Sequence, residues 1–124
     1  MTRAPPDKEL HGIHWQVAQA TSITNVKVTM STAPGNQHVG LWMENGSGLF
    51  FSDLTTEGGK YGLWMGNQQF TVRNFKATNA DTAIYLNWGW GWVFKNAQID
   101  NCRTGKKEID QINNSPRISS NKMI

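Results

Sequence analysis

An all-β fold, and within that class a right-handed single-stranded parallel β-helix, is predicted by three observations. The hexapeptide GLWMEN at residues 40–45 returns almost unchanged as GLWMGN at residues 62–67. Two looser copies flank it, GIHWQV from Gly12 and AIYLNW from Ala83, so that the four starts fall 28, 22 and 21 residues apart. A second kind of segment, centred on Asn25-Val26, Asp53-Leu54, Asn74-Phe75 and Asn96-Ala97, keeps intervals of 28, 21 and 22. Two landmarks with one period are the mark of stacked repeats. The period is about half that of a four-stranded propeller blade, and the L-x-x-L-x-L signature of a leucine-rich repeat is absent.

Taken in chain order, residues 1–11 form an N-terminal extension, and coils begin at Gly12. Each hexapeptide alternates with period two, as a half-buried strand does. Ile13, Leu41, Leu63 and Ile84 fall in one inward column, and Trp15, Met43, Met65 and Leu86 in the next. The second segment type supplies Ile23, Phe51, Val72 and Phe94, then Val26, Leu54, Phe75 and Ala97, then Val28, Thr56, Ala77 and Ile99. Its apolar positions jump by three around Asn25, Asp53, Asn74 and Asn96, which predicts a corner where Asn and Asp tolerate the bend. The longer first interval is explained by a loop from Ser31 to His38. About four coils of 21–22 residues thus occupy residues 12–105. A fifth would need apolar residues at 106 and 108, where Lys106 and Glu108 stand, and an inward charge in a buried column is costly. The stack is therefore expected to stop at residue 105. Residues 106–124 are then either a polar cap or an extension foreign to the domain, since Gly105-Lys106 can be encoded by a typical intron donor. The β-helix is expected to be truncated at both ends.

Composition narrows the partners. Six Trp, five Phe and only 17% charged residues argue against disorder. The net charge of +3 comes from scattered lysines and arginines, which gives no phosphate-tracking stripe and no call for nucleic acid. No run approaches the roughly 18 apolar residues of a membrane helix, so no membrane partner is expected. MTRAPPDKEL lacks an apolar h-region, so the chain as written carries no secretory signal. Cys102 is alone and reads as a small core residue, with no disulfide or cysteine zinc site. No cofactor is called for.

On the outside of the coil, alternation turns His14, Trp42, Trp64 and Tyr85 into one exterior column. Such a stripe marks an interaction site, because flat aromatic faces suit the apolar C–H faces of sugars. The other reading is that it packs against another domain or a covering loop. Asn87-Trp88-Gly89-Trp90-Gly91-Trp92 adds three Trp in a Gly-opened turn beside that wall. Glu44 has the outward parity next to Trp42, with Gln16 in the same column. Asp53 reads as a corner residue and Glu57 falls in a Gly-rich turn, so no second carboxyl group joins Glu44, although glycoside hydrolysis normally needs two. His11 and His14 are expected on opposite faces of a strand, so they would not share a metal, and no metal site is expected. Ser47 has no His or Asp partner in a triad-like arrangement. Asn45-Gly46-Ser47 is an N-glycosylation sequon.

His14-Trp15-Gln16-Val17-Ala18-Gln19-Ala20-Thr21-Ser22, Glu44-Asn45-Gly46-Ser47-Gly48, Ser52-Asp53-Leu54, Gly66-Asn67-Gln68-Gln69-Phe70 and Asn87-Trp88-Gly89-Trp90 together resemble the fungal exo-β-1,3-glucanases of glycoside hydrolase family 55. The resemblance runs from about Gly12 to Gly105. It implies a pectin-lyase-like β-helix, the first of two lying side by side around a cleft, in an enzyme that is much longer, extracellular and inverting. It also implies β-1,3-glucan as substrate, with a general-acid Glu supplied by the second β-helix, which this chain lacks. By motif, Gln19 and Ser47 would hold the attacking water, with Gln16 a further candidate, while Trp42, Trp64, Tyr85 and Glu44 would face substrate. Leu49 departs from the family pattern, which has a Gly there, and is expected to narrow the loop around Ser47. The chain alone is expected to be inactive. The rival expectation is a non-catalytic carbohydrate-binding solenoid that uses the aromatic stripe.

Overall fold

The structure is a computed structural model that describes residues 1–16, 19–109 and 116–119. Those residues form ten strands and no helix: β1 (Leu10–Gln16), β2 (Ser22–Thr29), β3 (His38–Ser47), β4 (Phe50–Glu57), β5 (Tyr61–Arg73), β6 (Lys76–Thr78), β7 (Thr82–Lys95), β8 (Gln98–Asp100), β9 (Thr104–Ile109) and β10 (Pro116–Ser119). Except in the last pair, partners are parallel and lie a repeat apart. β1, β3, β5, β7 and β9 form one ladder. β2, β4, β6 and β8 form another. The long strands β5 and β7 carry straight through from the first wall to the second, where β5 also pairs with β4.

The register reproduces the columns read from the repeat. Ile13 pairs with Leu41, Leu41 with Leu63 and Leu63 with Ile84. Trp15, Met43, Met65 and Leu86 follow two residues on. Parallel strands lie about 4.8 Å apart, so each inward side chain rests on its counterpart in the next repeat. Leu41, Met43, Leu63, Met65, Ile84, Phe51, Leu54, Val72 and Ala97 are fully or almost fully buried in one core. Burying each of the larger ones contributes about 1.5–3 kcal/mol.

Three bends per repeat are written in backbone geometry. Asn25, Asp53, Asn74 and Asn96, the expected corner, all have positive φ, between 52° and 58°. Asn74 Nδ2 donates to Asp53 Oδ1 at 3.1 Å, and Asn96 Nδ2 donates to Asn74 Oδ1 at 3.2 Å. The short amide chain both tolerates left-handed backbone and links one repeat to the next. A second bend aligns Ala20, Gly48, Gln69 and Gly91, with φ of 50°, 62°, 53° and 68°. A third aligns Gly58, Asn79 and Asn101, where Asn101 Nδ2 donates to Asn79 Oδ1 at 2.7 Å.

Both edges of the expected coil region extend further than the repeat suggested. At the start, Leu10 and His11 already pair with His38 and Val39. Buried His38 ties the preceding segment down: its Nδ1 accepts from the Ser31 N–H at 3.2 Å, leaving Nε2–H to donate to the Pro5 carbonyl at 3.0 Å. At the end, β9 continues the parallel ladder past residue 105, with Lys106 opposite Ile84 and Lys107 opposite Tyr85. Lys106 is half-buried, with its Nζ 5.2 Å from the centre of the Phe94 ring. A long side chain can lay its methylenes on apolar surface while its ammonium meets a ring face or water, so the charge at an end rung need not be sealed in the core. β10 then pairs antiparallel with β9. The rest of the tail, residues 110–115 and 120–124, lies outside the described residues.

Candidate functional site

β5 serves as a ruler for the outer face of the first wall, because Trp64, Gly66 and Gln68 alternate onto one side of it. Register extends these three positions into columns. The first is His14–Trp42–Trp64–Tyr85. The second is Gln16–Glu44–Gly66–Trp88. The third is Gln19–Ser47–Gln68–Trp90, which ends at the second bend. One extra residue is accommodated between Glu44 and Ser47 in β3, and another after Leu86 in β7. These bulges return the polar residues to the outer face despite unequal spacing. Gln19 and Ser47, assigned by resemblance alone, are thus direct bridge partners, and the Ala20 N–H donates to the Ser47 carbonyl at 3.2 Å.

From Trp42 to Tyr85 the first column is a stack, whereas His14 meets Trp42 edge to face at 6.4 Å and 72°. The Trp42 and Trp64 rings lie 3.8 Å apart and 7° from parallel, and Tyr85 follows Trp64 at 6.0 Å and 21°. His11 covers the other side of Trp42 at 4.6 Å and 14°. Lys107 Nζ stands 5.8 Å from the Tyr85 ring centre. Both faces of Trp42 and of Trp64 are therefore occupied by protein, and these rings offer a ligand only their edges. The expectation that their flat faces would receive a sugar does not fit this geometry. His11 and His14 are also not on opposite faces: their rings meet edge to face at 5.5 Å. β1 has only β3 beside it among the described residues, so His11 is free to lean over Trp42. Glu9 Oε1 lies 3.1 Å from His11 Nε2, and among the described residues these side chains form no group of three that could hold a metal ion.

The Trp-rich segment divides its rings differently. Trp92 turns inward against Phe70, with ring centres 4.7 Å apart, and its Nε1–H donates to the Asn67 carbonyl at 2.7 Å. A Cβ on Gly89 would lie 2.5 Å from that indole nitrogen, so only glycine admits the bond. Trp88 lies across Gly66, where an added Cβ would again fall 2.5 Å from the indole nitrogen. Trp90 points outward and is 66% exposed.

Asn67, fully buried, links these parts. Its Oδ1 accepts from the Gln68 N–H at 2.6 Å and its Nδ2 donates to Met43 Sδ at 2.9 Å, so the backbone that presents Gln68 is fixed from beneath. The sequence marks Trp90 only as one of three Trp beside the wall and does not single out Asn67, although both lie in motifs that carry the resemblance. Leu49 is 3% exposed and belongs to the core cluster, so it does not narrow the loop over Ser47. The phenol of Tyr61, whose ring centre is 5.1 Å from that of Tyr85, is held above its ordinary pKa by burial first, then by Tyr85 and Asp81.

A separate cleft of about 740 Å³ runs beside the third bend and the Ser31–His38 loop, lined in part by Gln37, Lys60, Asp81 and Arg103. Its charged groups have partners: Arg103 forks onto Asp81 at 2.6 and 3.0 Å, and the Lys60 ammonium donates to the neutral Gln37 Oε1 at 2.9 Å. None of the site residues expected from sequence lines it.

Comparison with known proteins gives the class to which this parallel β-ladder belongs. Residues 1–107 match the model of the rhamnogalacturonase A/epimerase, pectate lyase-like family. The chain belongs to that family. It is 49% identical over 92 residues to a probable glucan endo-1,3-beta-glucosidase of Arthroderma benhamiae, covering 73% of this chain and 10% of that protein. It is 45% identical over 103 residues to a glucan 1,3-beta-glucosidase of Cochliobolus carbonum, covering 83% of this chain and 13% of that protein. A third relative, named non-secreted LysM effector LysM19, from Penicillium expansum, is 44% identical over 105 residues, covering 85% of this chain and 8% of the relative. The two glucosidases bear out the resemblance to glycoside hydrolase family 55. The chain spans about a tenth of the length of the curated relatives it matches.

Proposed function

We propose that this chain forms about four coils of a right-handed β-helix and supplies one wall of a β-1,3-glucan site in a longer glycoside hydrolase. On this reading Gln19 and Ser47 orient the water that attacks the anomeric carbon, with Gln16 and Glu44 in the adjoining column binding sugar hydroxyls. The general acid comes from a second β-helix outside the chain, and the enzyme removes glucose from chain ends with inversion. The observation that carries the reading is the bridge between Gln19 and Ser47 on the outer face. An amide and a hydroxyl can hold a water and relay its proton, but neither is a strong base or acid. Glu44 is the one carboxylate in the three outer columns, and inverting hydrolysis needs two carboxyl groups about 6.5–9.5 Å apart. The isolated chain is therefore expected to bind laminarin without hydrolysing it. Proton NMR of laminarin mixed with the folded chain tests both halves: ligand lines should broaden and no α-glucose should form. Release of α-glucose would place the acid within these 124 residues and overturn the division of labour. Unbroadened laminarin would overturn the glucan reading.

A second reading is a carbohydrate-binding β-helix with no catalytic role. That lone carboxylate favours it, as does the presence of relatives named effectors rather than hydrolases. A longer protein carrying this segment that binds laminarin but never releases glucose would favour it over the first.

A further inference from the structure

We infer that Trp90, with Gln68 beside it, forms a sugar-ring platform at the edge of the site, where the indole face takes the apolar face of a hexose. The β-1,3 linkage in this inference rests on the function proposed above, whereas the stacking does not. Four observations support it.

Trp90 is the most exposed large apolar side chain among the described residues. An indole left largely in water at a fixed place is informative, because scattered small apolar residues are common on surfaces and a bare Trp is not. Its immediate surroundings are constrained. Gly89 is required by the Trp92 indole packed against it, and Gly91 has φ of +68° in the second bend. Trp92 is anchored through its hydrogen bond to Asn67. The backbone carrying Trp90 is thus pinned on both sides while its ring stays uncovered.

Position is the third point. Trp90 is in register with Gln68, which is in register with Ser47, itself the bridge partner of Gln19. One apolar face and three hydrogen-bonding side chains therefore follow one another at the spacing of adjacent strands, about 4.8 Å. That combination suits a hexose, which has an apolar C–H face and an equatorial rim of hydroxyls. Finally, among the described residues Trp90 makes none of the ring contacts that occupy Trp42, Trp64 and Trp92.

The test is titration of the 124-residue chain with laminaritriose and, in parallel, cellotriose, followed by calorimetry or ligand NMR. Trp90→Ala should weaken saccharide binding about tenfold or more, as truncation of a central Trp contact does. Trp90→Phe keeps a ring and should retain most of the affinity. Since the side chain is exposed, both variants should share the circular dichroism of the parent. If the parent binds laminaritriose and Trp90→Ala binds it equally well, the platform is overturned while the glucan reading stands. If the parent binds cellotriose only, and Trp90→Ala loses that binding, the platform stands and the β-1,3-glucan reading falls. Binding of neither trisaccharide overturns the platform.

Discussion

Trp42 and Trp64 occupy the same position in successive repeats, and they stack at 3.8 Å. Trp88 and Trp90 lie in a single strand, two residues apart, and across from them the previous repeat places Gly66 and Gln68. The two regions share a face, yet their rings meet different neighbours. Parallel strands stand about 4.8 Å apart, within the range of ring-centre separations of paired aromatics. Consecutive aromatics in one column can therefore lie flat on one another and use up their own faces, as Trp42 and Trp64 do, although His14 meets Trp42 edge to face at 72°. An aromatic whose column neighbours are small or polar keeps a face for something else. In this stack the run of aromatics serves as internal support, and the interrupted column leaves the Trp90 ring exposed.

That contrast can be tested first through stability. Trp64→Ala removes the middle of the stack and should cost about 3 kcal/mol, whereas Trp90→Ala should change stability by less than about 0.5 kcal/mol. Urea denaturation followed by circular dichroism measures both, and equal losses would break the distinction between support and surface. A smaller effect is expected from Gly66→Ala. Its Cβ would fall 2.5 Å from the Trp88 indole nitrogen, so the ring must tilt away, at a cost of about 1–3 kcal/mol by overpacking. An unchanged urea midpoint would mean that Trp88 does not rest on Gly66.

The smallest effect belongs to Tyr61, at the start of β5 beside Tyr85. The folded chain holds the Tyr61 proton more tightly than the ordinary value of 10.0, mainly because the phenol is partly buried. As pH rises past that value, the unfolded chain loses this proton first, so the contribution of Tyr61 to stability is present below pH 10 and lost above it. Tyr61→Phe should flatten the decline in urea midpoint above pH 10. A decline as steep as that of the parent would remove Tyr61 as its source.

Much of this arrangement was legible before any coordinates. Period-two alternation placed Ile13, Leu41, Leu63 and Ile84 in one column because strand geometry leaves an apolar residue at that parity only one side to face. The Asn25, Asp53, Asn74 and Asn96 corner was legible because bend geometry and side-chain chemistry select the same residue types. The Ala20, Gly48, Gln69 and Gly91 bend was not, since its four residues share a backbone conformation and no chemistry. Stacking of the exterior column was implied by strand spacing, but parity alone says which side a ring faces and not what covers it. The outward placement of Trp88 and Trp90 depends on the extra residue after Leu86, and the inward turn of Trp92 on the bend at Gly91; neither leaves a distinctive residue type behind. Lys106 looked incompatible with a ladder position because a sealed interior was assumed, whereas an end rung lets its ammonium reach a ring face.

The most direct measurement is fluorine NMR of the chain labelled with 5-fluorotryptophan, with each resonance assigned by single Trp→Phe substitution, during titration with laminaritriose. The Trp90 resonance should move, and those of Trp42 and Trp64 should stay in place. Shifts at Trp42 and Trp64 with Trp90 unmoved would contradict the account, because a ligand would then be reaching rings whose faces the fold has already filled.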